Sequence, residues 1–184
     1  MEFDTLKKII SSRRSMRKFK PEQIDENELI EILKIATWAP SAGNTQSWDL
    51  ILIKDQDKKR ALARAALSQS FIKKSSHVVV VCANFSRSGR VYGKRGINMY
   101  VYQDTAALVQ NLLLLIHAKG WGAVWVGAFK GREVAEILEI NIEKDNVKPV
   151  AIIPIGYPVR DPNPPKRIPL NEILHLESFG KLYK

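Results

Sequence analysis

The chain has 184 residues, of which 45% are apolar, a single cysteine and a formal net charge of +10. This apolar share is ordinary for a globular protein and excludes disorder as the default, and a lone cysteine excludes a disulfide framework. No apolar run approaches the roughly 20 residues of a membrane span, so we expect a protein of the reducing cytoplasm that binds no membrane. The positive charge attracts anions in general and selects none of them.

The first helical pattern ends in a cluster of basic residues. Leu6, Ile9 and Ile10 recur at helical spacing, and Arg13 falls on the same face of that helix. Residues 13–17 then place three arginines and a serine within five positions. Forked guanidinium groups bind phosphate or carboxylate well, but a solvated basic turn is the ordinary explanation of such a charge run. From this segment alone both interpretations stay open.

The second helix is marked at both ends. Asp25 and Glu28 have the spacing of a capping box, which predicts the N-terminus of a helix. Pro40 disfavours helical dihedral angles in the residue before it, so we expect the helix to end near Ala39.

An amide-rich segment, residues 40–47, separates that helix from an apolar strand predicted over 48–53. Asn44 and Gln46 lie in this segment, and each amide can both donate and accept a hydrogen bond. That property suits the edge of a heterocycle in which carbonyl and N–H groups alternate. A turn whose amides face solvent is the alternative interpretation.

The middle of the chain contains a buried strand followed by a basic stretch. Residues 78–83 form a continuous run rich in β-branched side chains, which predicts a strand buried on both faces. Residues 86–96 combine glycine with arginine and lysine. Their glycine spacing does not match a phosphate-binding loop, so we expect a mobile surface loop there.

The longest apolar pattern predicts one helix over 98–119. Almost no polar face remains from Thr105 onward, so this helix must be buried nearly all round. One domain of this size can hardly cover it, and we infer an obligate homodimer in which Gln110 and Asn111 are buried amides. His117 has no second histidine or cysteine at ligand spacing, so we expect a satisfied structural residue and no metal site.

The C-terminal third predicts short strands and an extended tail. A turn and a strand are predicted over 120–129, where Gly127 permits close backbone approach, and a final strand follows. Beyond residue 158 repeated prolines force an extended path. We therefore divide the chain into a packed domain, residues 1–158, and an arm, residues 159–184, which either wraps a partner subunit or stays flexible.

Five segments, taken in order, resemble the FMN-dependent nitroreductase family. They are RRSMRKF at 13–19, PSAGNTQSW at 40–48, QDTAA with QNLLL at 103–114, WVGAF at 125–129 and GYP at 156–158. Each segment is weak alone, but together they span most of the chain. The resemblance implies an α+β fold with a central antiparallel or mixed sheet flanked by helices. It also implies a long buried helix at a dimer interface and an extended C-terminal arm that packs on the partner subunit.

The resemblance further implies an FMN site at the dimer interface. The residues implied for the phosphate and ribityl chain are Arg13, Arg14, Ser15 and Arg17, joined by Lys166 or Arg167 from the tail. Those implied for the flavin ring are Asn44 at the pyrimidine edge, with Gln46 beside it, and the backbone N–H groups of Gly127 and Ala128 near N5. Candidate walls of the substrate pocket are Tyr92, Tyr100 and Phe129.

The implied activity is that of an NAD(P)H oxidoreductase. NADH or NADPH would deliver hydride to flavin N5 and leave, and a nitroaromatic, a quinone or a similar small acceptor would then take its place, in ping-pong order. Because the cofactor carries the chemistry, we expect no catalytic side chain and no metal. Alternatives are other chemistry on the same FMN fold, such as dehalogenation or flavin or ring oxidation, a non-catalytic flavin protein, and a basic nucleic-acid-binding protein. The last lacks aromatic residues interleaved with its basic stretch.

Overall fold

The computed structural model describes residues 2–160 and 162–183. Met1, Asp161 and Lys184 lie outside the described residues, and with them the outer ends of the predicted domain and arm. The helices are α1 (Glu2–Ser12), α2 (Glu26–Ala36), α3 (Gln56–Ala65), α4 (Phe71–Lys74), α5 (Phe85–Arg95), α6 (Val101–Ala118), α7 (Gly131–Ile137), α8 (Ile142–Asp145) and α9 (Leu170–Ile173). The strands are β1 (Trp48–Ile53), β2 (His77–Asn84), β3 (Gly122–Ala123) and β4 (Val147–Gly156). A 3₁₀ turn spans Ala42–Asn44, and a π-helical turn spans Gly96–Tyr100.

The four strands form one antiparallel sheet in the order β1-β2-β4-β3. Strand β2 lies at its centre, where Trp48 pairs with Ala83 on one side and His77 pairs with Ile155 on the other. A register shift between Val81 and Cys82 marks a bulge against β4. The predicted α+β class with a central sheet is confirmed.

Side chains of β2 alternate between two hydrophobic cores, which explains the unbroken apolar run in the sequence. Val79 and Val81 pack with α2 and α6, whereas Val78, Val80 and Cys82 pack with α3 and α7. The prediction that this strand is buried on both faces is confirmed. Burial, with a smaller contribution from Asp49, raises the pKa of the Cys82 thiol to about 12.

The start of α2 is built as the sequence predicts. The Asp25 carboxylate accepts hydrogen bonds from the N–H groups of Asn27 at 2.7 Å and Glu28 at 3.1 Å. Leu29 and Ala36 are fully buried on the inner face of the helix. The cap therefore fixes where the chain enters the helix, and the apolar stripe fixes its rotation about its axis.

The basic stretch 86–96 is helical, and the prediction of a mobile surface loop is wrong. The Asn84 side chain caps α5 by accepting from Arg87 N–H at 3.1 Å. Its glycines serve close packing: a Cβ on Gly96 would collide with the Ser88 carbonyl oxygen, and one on Gly89 would lie 3.0 Å from the Ile97 side chain. The sequence shows many glycines, and only the fold shows that they let α5 turn back on the segment after it.

The long helix begins later than predicted, because the π-helical turn Gly96–Tyr100 precedes α6. Leu108, Leu112 and Ile116 are fully buried, so one face of α6 is a core face. Gln110 is exposed in the protomer, and its predicted burial depends on a second subunit. No helix of the described residues is both long enough and apolar enough to cross a membrane.

Two surfaces of the protomer carry exposed apolar side chains. On α1, Phe3, Leu6 and Ile10 are all at least half exposed, and on the tail Phe179 is 93% exposed. The tail is extended as predicted, apart from the short helix α9 and a bridge between His175 and Leu182. Both surfaces are of a kind that a partner covers.

Candidate functional site

The segment after α1 runs beside the short strand β3. Met16 N–H donates to the Ala123 carbonyl at 2.9 Å, and Ser15 forms a parallel bridge with Ala123. The Met16 side chain is buried, and a Cβ on Gly122 would lie only 2.8 Å from it. This close packing holds the backbone of the arginine-rich segment at the edge of the sheet.

We call Arg13, Arg14 and Arg17, together with Arg167 of the tail, the arginine cluster. Burial first, and then the charges of Arg14 and Arg167, lower the pKa of Arg13. The tail cation therefore lies near the segment in the same chain. Within residues 2–160 and 162–183, no carboxylate forms an ion pair with a member of this cluster.

The guanidinium of Arg14 is partly satisfied by the backbone. Its Nη1 donates to the carbonyls of Ser11 at 2.7 Å and Arg13 at 2.9 Å. Its Nε is buried and has no hydrogen-bond partner among the described residues. A buried donor without an acceptor is costly, so the cluster suits an anion that supplies both charge and acceptor oxygens.

A cleft of about 370 Å³ opens beside the cluster. Its lining residues are Ser15, Met16, Arg17, Lys18, Arg160, Pro162 and Asn163. Among these described lining residues there are three cations and no acid. Of the two tail cations, Arg167 is the one whose charge contributes to the lowered pKa of Arg13.

We call residues 41–47 the amide loop. The carboxylate of Asp104, on α6, accepts from Ala42 N–H at 2.9 Å, from Ser47 Oγ at 2.5 Å and from Thr45 Oγ1 at 3.4 Å. Asp104 is only 4% exposed, so this carboxylate forms a buried anchor for the loop. The sequence analysis did not single it out as functional; the signal was a carboxylate among apolar residues of a long helix.

The backbone of the amide loop turns its two amide side chains outward. Gly43, Asn44 and Gln46 all have positive φ angles, of 54°, 57° and 47°. The Asn44 side chain makes no hydrogen bond to another described residue, and among the described residues the Gln46 side chain donates only to the Asn44 carbonyl, at 3.3 Å. Both amides are exposed and have capacity left for an outside partner.

Helix α5 packs on the amide loop. Arg87 donates to the carbonyls of Gln46 at 3.1 Å and Trp48 at 2.7 Å, and to the Asp49 carboxylate at 2.8 Å. A Cβ on Gly43 would collide with the Tyr92 hydroxyl. The predicted wall residue Tyr92 therefore lies at this loop.

The rings of Tyr92 and Tyr100 meet edge to face with centroids 5.1 Å apart. The third predicted wall residue, Phe129, lines a different cleft, together with Gly127, Tyr102 and Lys148. Neither Tyr92 nor Tyr100 is among the residues that line this cleft. Phe129 lies between β3 and α7, whereas Tyr92 belongs to α5 and Tyr100 to the π-helical turn after it.

The backbone at Gly127 and Ala128 is exposed at the end of the segment that follows β3. Among the described residues other than its chain neighbours, the only atom within 4 Å of a Cβ placed on Gly127 is Trp125 Nε1, at 3.9 Å. The protomer itself therefore leaves the space beside Gly127 open. Gln69, which the sequence analysis missed, donates from Nε2 to the Ala128 carbonyl at 3.2 Å and to the Ala66 carbonyl at 2.9 Å.

The predicted site residues fall into two groups within one protomer. The arginine cluster lies beside β3, whose chain continues to Gly127, while Asn44 and Gln46 lie with the two tyrosines. No hydrogen bond or ion pair between described residues joins the arginine cluster to the amide loop.

The fold and these two groups define an α+β protein with an arginine cluster at the sheet edge and an outward-facing amide loop. The family model described as "Nitroreductase: Nitroreductase family" matches residues 10–157, and the chain therefore belongs to the nitroreductase family.

Comparison with known proteins supports this assignment. A protein of Archaeoglobus fulgidus, whose name pairs NADH dehydrogenase with NAD(P)H nitroreductase, is 33% identical over 152 residues, covering 82% of this chain and 84% of its own. The FMN reductase (NADPH) of Bacillus subtilis is 24% identical and covers 93% of this chain and 73% of its own. The solved NADPH:FMN oxidoreductase of Vibrio harveyi, complexed with NAD+, has a similar fold, with a TM-score of 0.86 at 22% identity over 97% of this chain and 79% of its own.

Proposed function

We propose that this chain is an FMN-dependent NAD(P)H oxidoreductase of the cytoplasm. It takes hydride from NADH or NADPH and passes it to a small acceptor such as a nitroaromatic or a quinone. Family membership and the names of the relatives support an oxidoreductase. The single observation that carries the cofactor assignment is the arginine cluster, because its charges lack carboxylate partners among the described residues.

The arginine cluster fits a phosphate group. A phosphate monoester carries nearly two negative charges at pH 7 and offers three acceptor oxygens, which guanidinium forks bind in pairs. Arg13, Arg14 and Arg17 would hold it with the Ser15 hydroxyl, and Arg167 would add a fourth cation. The buried Nε of Arg14 is the kind of donor that such oxygens satisfy.

The remaining predicted residues fit the ring end of the cofactor. Asn44 and Gln46 present unused amide groups, which suit the alternating carbonyl and N–H groups of a pyrimidine edge. Gly127 and Ala128 offer exposed backbone beside an open space, which would leave room for the ring. When bound, FMN supplies the N5 atom that accepts and releases hydride.

The chain's own residues then bind, orient and shield the reactants. Tyr92 and Tyr100 form an aromatic edge over the amide loop, where they would exclude water from one side of the pocket. Gln69 holds the Ala128 carbonyl and so fixes which way the neighbouring peptide groups point. These are positioning contacts, and no side chain in this group is needed as an acid or base.

We further propose that the working unit is a homodimer with its flavin at the interface. The arginine cluster and the amide loop are not joined within one protomer, so a second copy would complete the site. Exposed apolar residues on α1, such as Leu6 and Ile10, and on the tail, such as Phe179, would be covered in that assembly. On this proposal the arm, residues 159–184, packs on the partner subunit.

Flavin binding tests the assignment. FMN added to the flavin-free protein should be bound and its fluorescence quenched, and NADH or NADPH should bleach its absorbance near 450 nm under anaerobic conditions. The double substitution Arg13→Ala with Arg17→Ala removes two charged donors and should weaken FMN binding by at least about 100-fold.

The matched control is Lys7→Ala with Lys8→Ala, which removes the same charge from α1 and should change FMN binding less than about twofold. Size-exclusion chromatography should show the same assembly for both variants. Unchanged FMN affinity in the arginine variant would refute the phosphate role. A protein that binds FMN but is reduced by neither nucleotide would refute the oxidoreductase.

A further inference from the structure

Helix α5 and the π-helical turn after it form a basic surface that the flavin site leaves unexplained. Residues 85–100 contain Arg87, Arg90, Lys94 and Arg95 and no acidic residue. Arg87 points inward to the amide loop and Asp49. The other three are exposed, and none forms an ion pair with a carboxylate of the described residues. We call Arg90, Lys94 and Arg95 the α5 cations.

Some surface cations of the described residues are neutralised by carboxylates, and the α5 cations are not. Lys34, Lys54 and Arg60 each lie within 2.8 Å of a carboxylate oxygen, and Lys119 and Lys130 do so as well. Like charges without a neighbouring carboxylate raise the local positive potential, and here they do so on the helix that carries Tyr92.

Two contacts hold helix α5, and with it the α5 cations, against the amide loop. Arg87 ties α5 to the Gln46 carbonyl at 3.1 Å, and the Tyr92 hydroxyl contacts Gly43 on the same loop. Between these anchors lies Arg90, and beyond them Gly93 takes φ 52° and ψ −134°, so the helix turns before Lys94. Apart from the adjacent backbone, no atom of the described residues lies within 4 Å of a Cβ placed on Gly93, so this corner has room for a ligand.

The third cation is coupled to an aromatic ring. Arg95 Nε donates to the Tyr100 hydroxyl at 2.7 Å, and its guanidinium carbon lies 5.3 Å from the centre of that ring. A planar guanidinium held against a tyrosine ring can bind a phosphate and can also stack on a purine.

We propose that the α5 cations bind the phosphorylated adenosine end of the reducing nucleotide and make NADPH the preferred reductant over NADH. The inference rests on the proposed function. NADPH carries a 2′-phosphate that NADH lacks, and this extra dianion is the group that unpaired, exposed cations distinguish best. A nucleic acid would also be attracted by such a surface, and the experiment separates the two.

Binding of the isolated adenosine end is the first measurement. With the FMN-loaded dimer, adenosine 2′,5′-bisphosphate should bind at least about tenfold more tightly than AMP by calorimetry. The double substitution Arg90→Ala with Lys94→Ala should remove that difference. Equal binding of the two probes by the unaltered protein would overturn the inference, whatever the turnover.

Steady-state kinetics give the second measurement. The same variant should lower kcat/KM for NADPH by about tenfold, mainly through KM, and change that for NADH by less than about threefold. The control, Arg64→Ala with Lys73→Ala, removes two exposed cations from another face and should leave the nucleotide preference intact.

The outcomes also separate this inference from the proposed function. One outcome is that NADH and NADPH reduce bound FMN with equal kcat/KM, both in the unaltered protein and in the Arg90 and Lys94 variant. That result would overturn the NADPH preference, but the chain would still be an oxidoreductase. Loss of binding to a labelled single-stranded oligonucleotide in that variant, with unaltered binding of adenosine 2′,5′-bisphosphate, would assign the surface to nucleic acid instead.

Discussion

The amide loop and the arginine cluster are both polar, but they are stabilised in opposite ways. In the amide loop the buried carboxylate of Asp104 satisfies the loop's own N–H and hydroxyl groups, so the loop is formed without any ligand. In the arginine cluster like charges lie together, and Arg14 Nε is left without an acceptor. One region is shaped by internal hydrogen bonds, whereas the other retains a charge repulsion that a bound anion would relieve.

The largest effect is expected when the buried anchor of the amide loop is removed. Asp104→Ala leaves at least the buried Ser47 hydroxyl and Ala42 N–H without their acceptor. We expect the free energy of unfolding to fall by about 2–4 kcal/mol in urea titrations at fixed protein concentration. Asp104→Asn, which can still accept one hydrogen bond and donate another, should recover a large part of the loss.

The matched control for this prediction is Asp57→Ala, which removes an 85% exposed carboxylate paired with Arg60. That change should cost less than about 0.5 kcal/mol, because exposed ion pairs contribute little. Equal losses for the two alanine variants would mean that Asp104 does not anchor the loop.

A smaller effect is expected at His77, whose neighbour Ser76 holds the chain between the arginine cluster and α2. Ile24 N–H donates to Ser76 Oγ at 2.9 Å, and this oxygen lies 2.9 Å from Nδ1 of the buried His77. Burial lowers the pKa of His77, an effect that Glu26 opposes. The unfolded chain therefore binds the histidine proton at a higher pH than the folded chain does.

Stability should consequently be lost as the pH falls below about 6.5, the unperturbed value for histidine. We expect the thermal midpoint to drop by roughly 2 °C between pH 7.5 and pH 5.5. His77→Gln should flatten this dependence, and His175→Gln in the tail should preserve it. An identical slope in all three proteins would show that His77 does not contribute.

The smallest effect is expected at the arginine cluster itself, when no flavin is bound. Arg13→Ala removes a cation that faces the charges of Arg14 and Arg167. After screening by solvent, the free energy of unfolding should stay constant or rise by up to about 0.5 kcal/mol. The gain should vanish in 0.5 M salt, because screening then weakens the repulsion in the unaltered protein too. A loss above 1 kcal/mol would make Arg13 a structural residue.

Periodicity and caps in the sequence were sufficient for most of the fold. The apolar run of β2 and the Asp25 cap of α2 predicted elements that the structure contains, because both depend on neighbours in the chain. Helix α5 was missed, since its glycines indicate flexibility unless their contacts with Ser88 and Ile97 are known. Such contacts depend on how the chain turns back, which no local pattern records.

The sequence singled out those candidate site residues whose local pattern is itself typical of binding. Arg13 and Asn44 stood out because arginine clusters and amides in a turn suggest binding. Asp104, Gln69 and Arg87 did not, because each acts by holding another residue through a contact 39 to 62 positions away in the chain. Supporting residues of this kind become visible only once the fold brings them together.

Because the thiol of Cys82 is buried, the native protein should not react with the thiol reagents used in site-directed labelling. Because its pKa is raised to about 12, this cysteine stays protonated and resists thiol reagents in the folded chain. A cysteine introduced at the exposed position of Lys144 would then be the reactive label site, with no native thiol to remove first. Spin labels at that position could measure the distance between the two subunits of the proposed dimer.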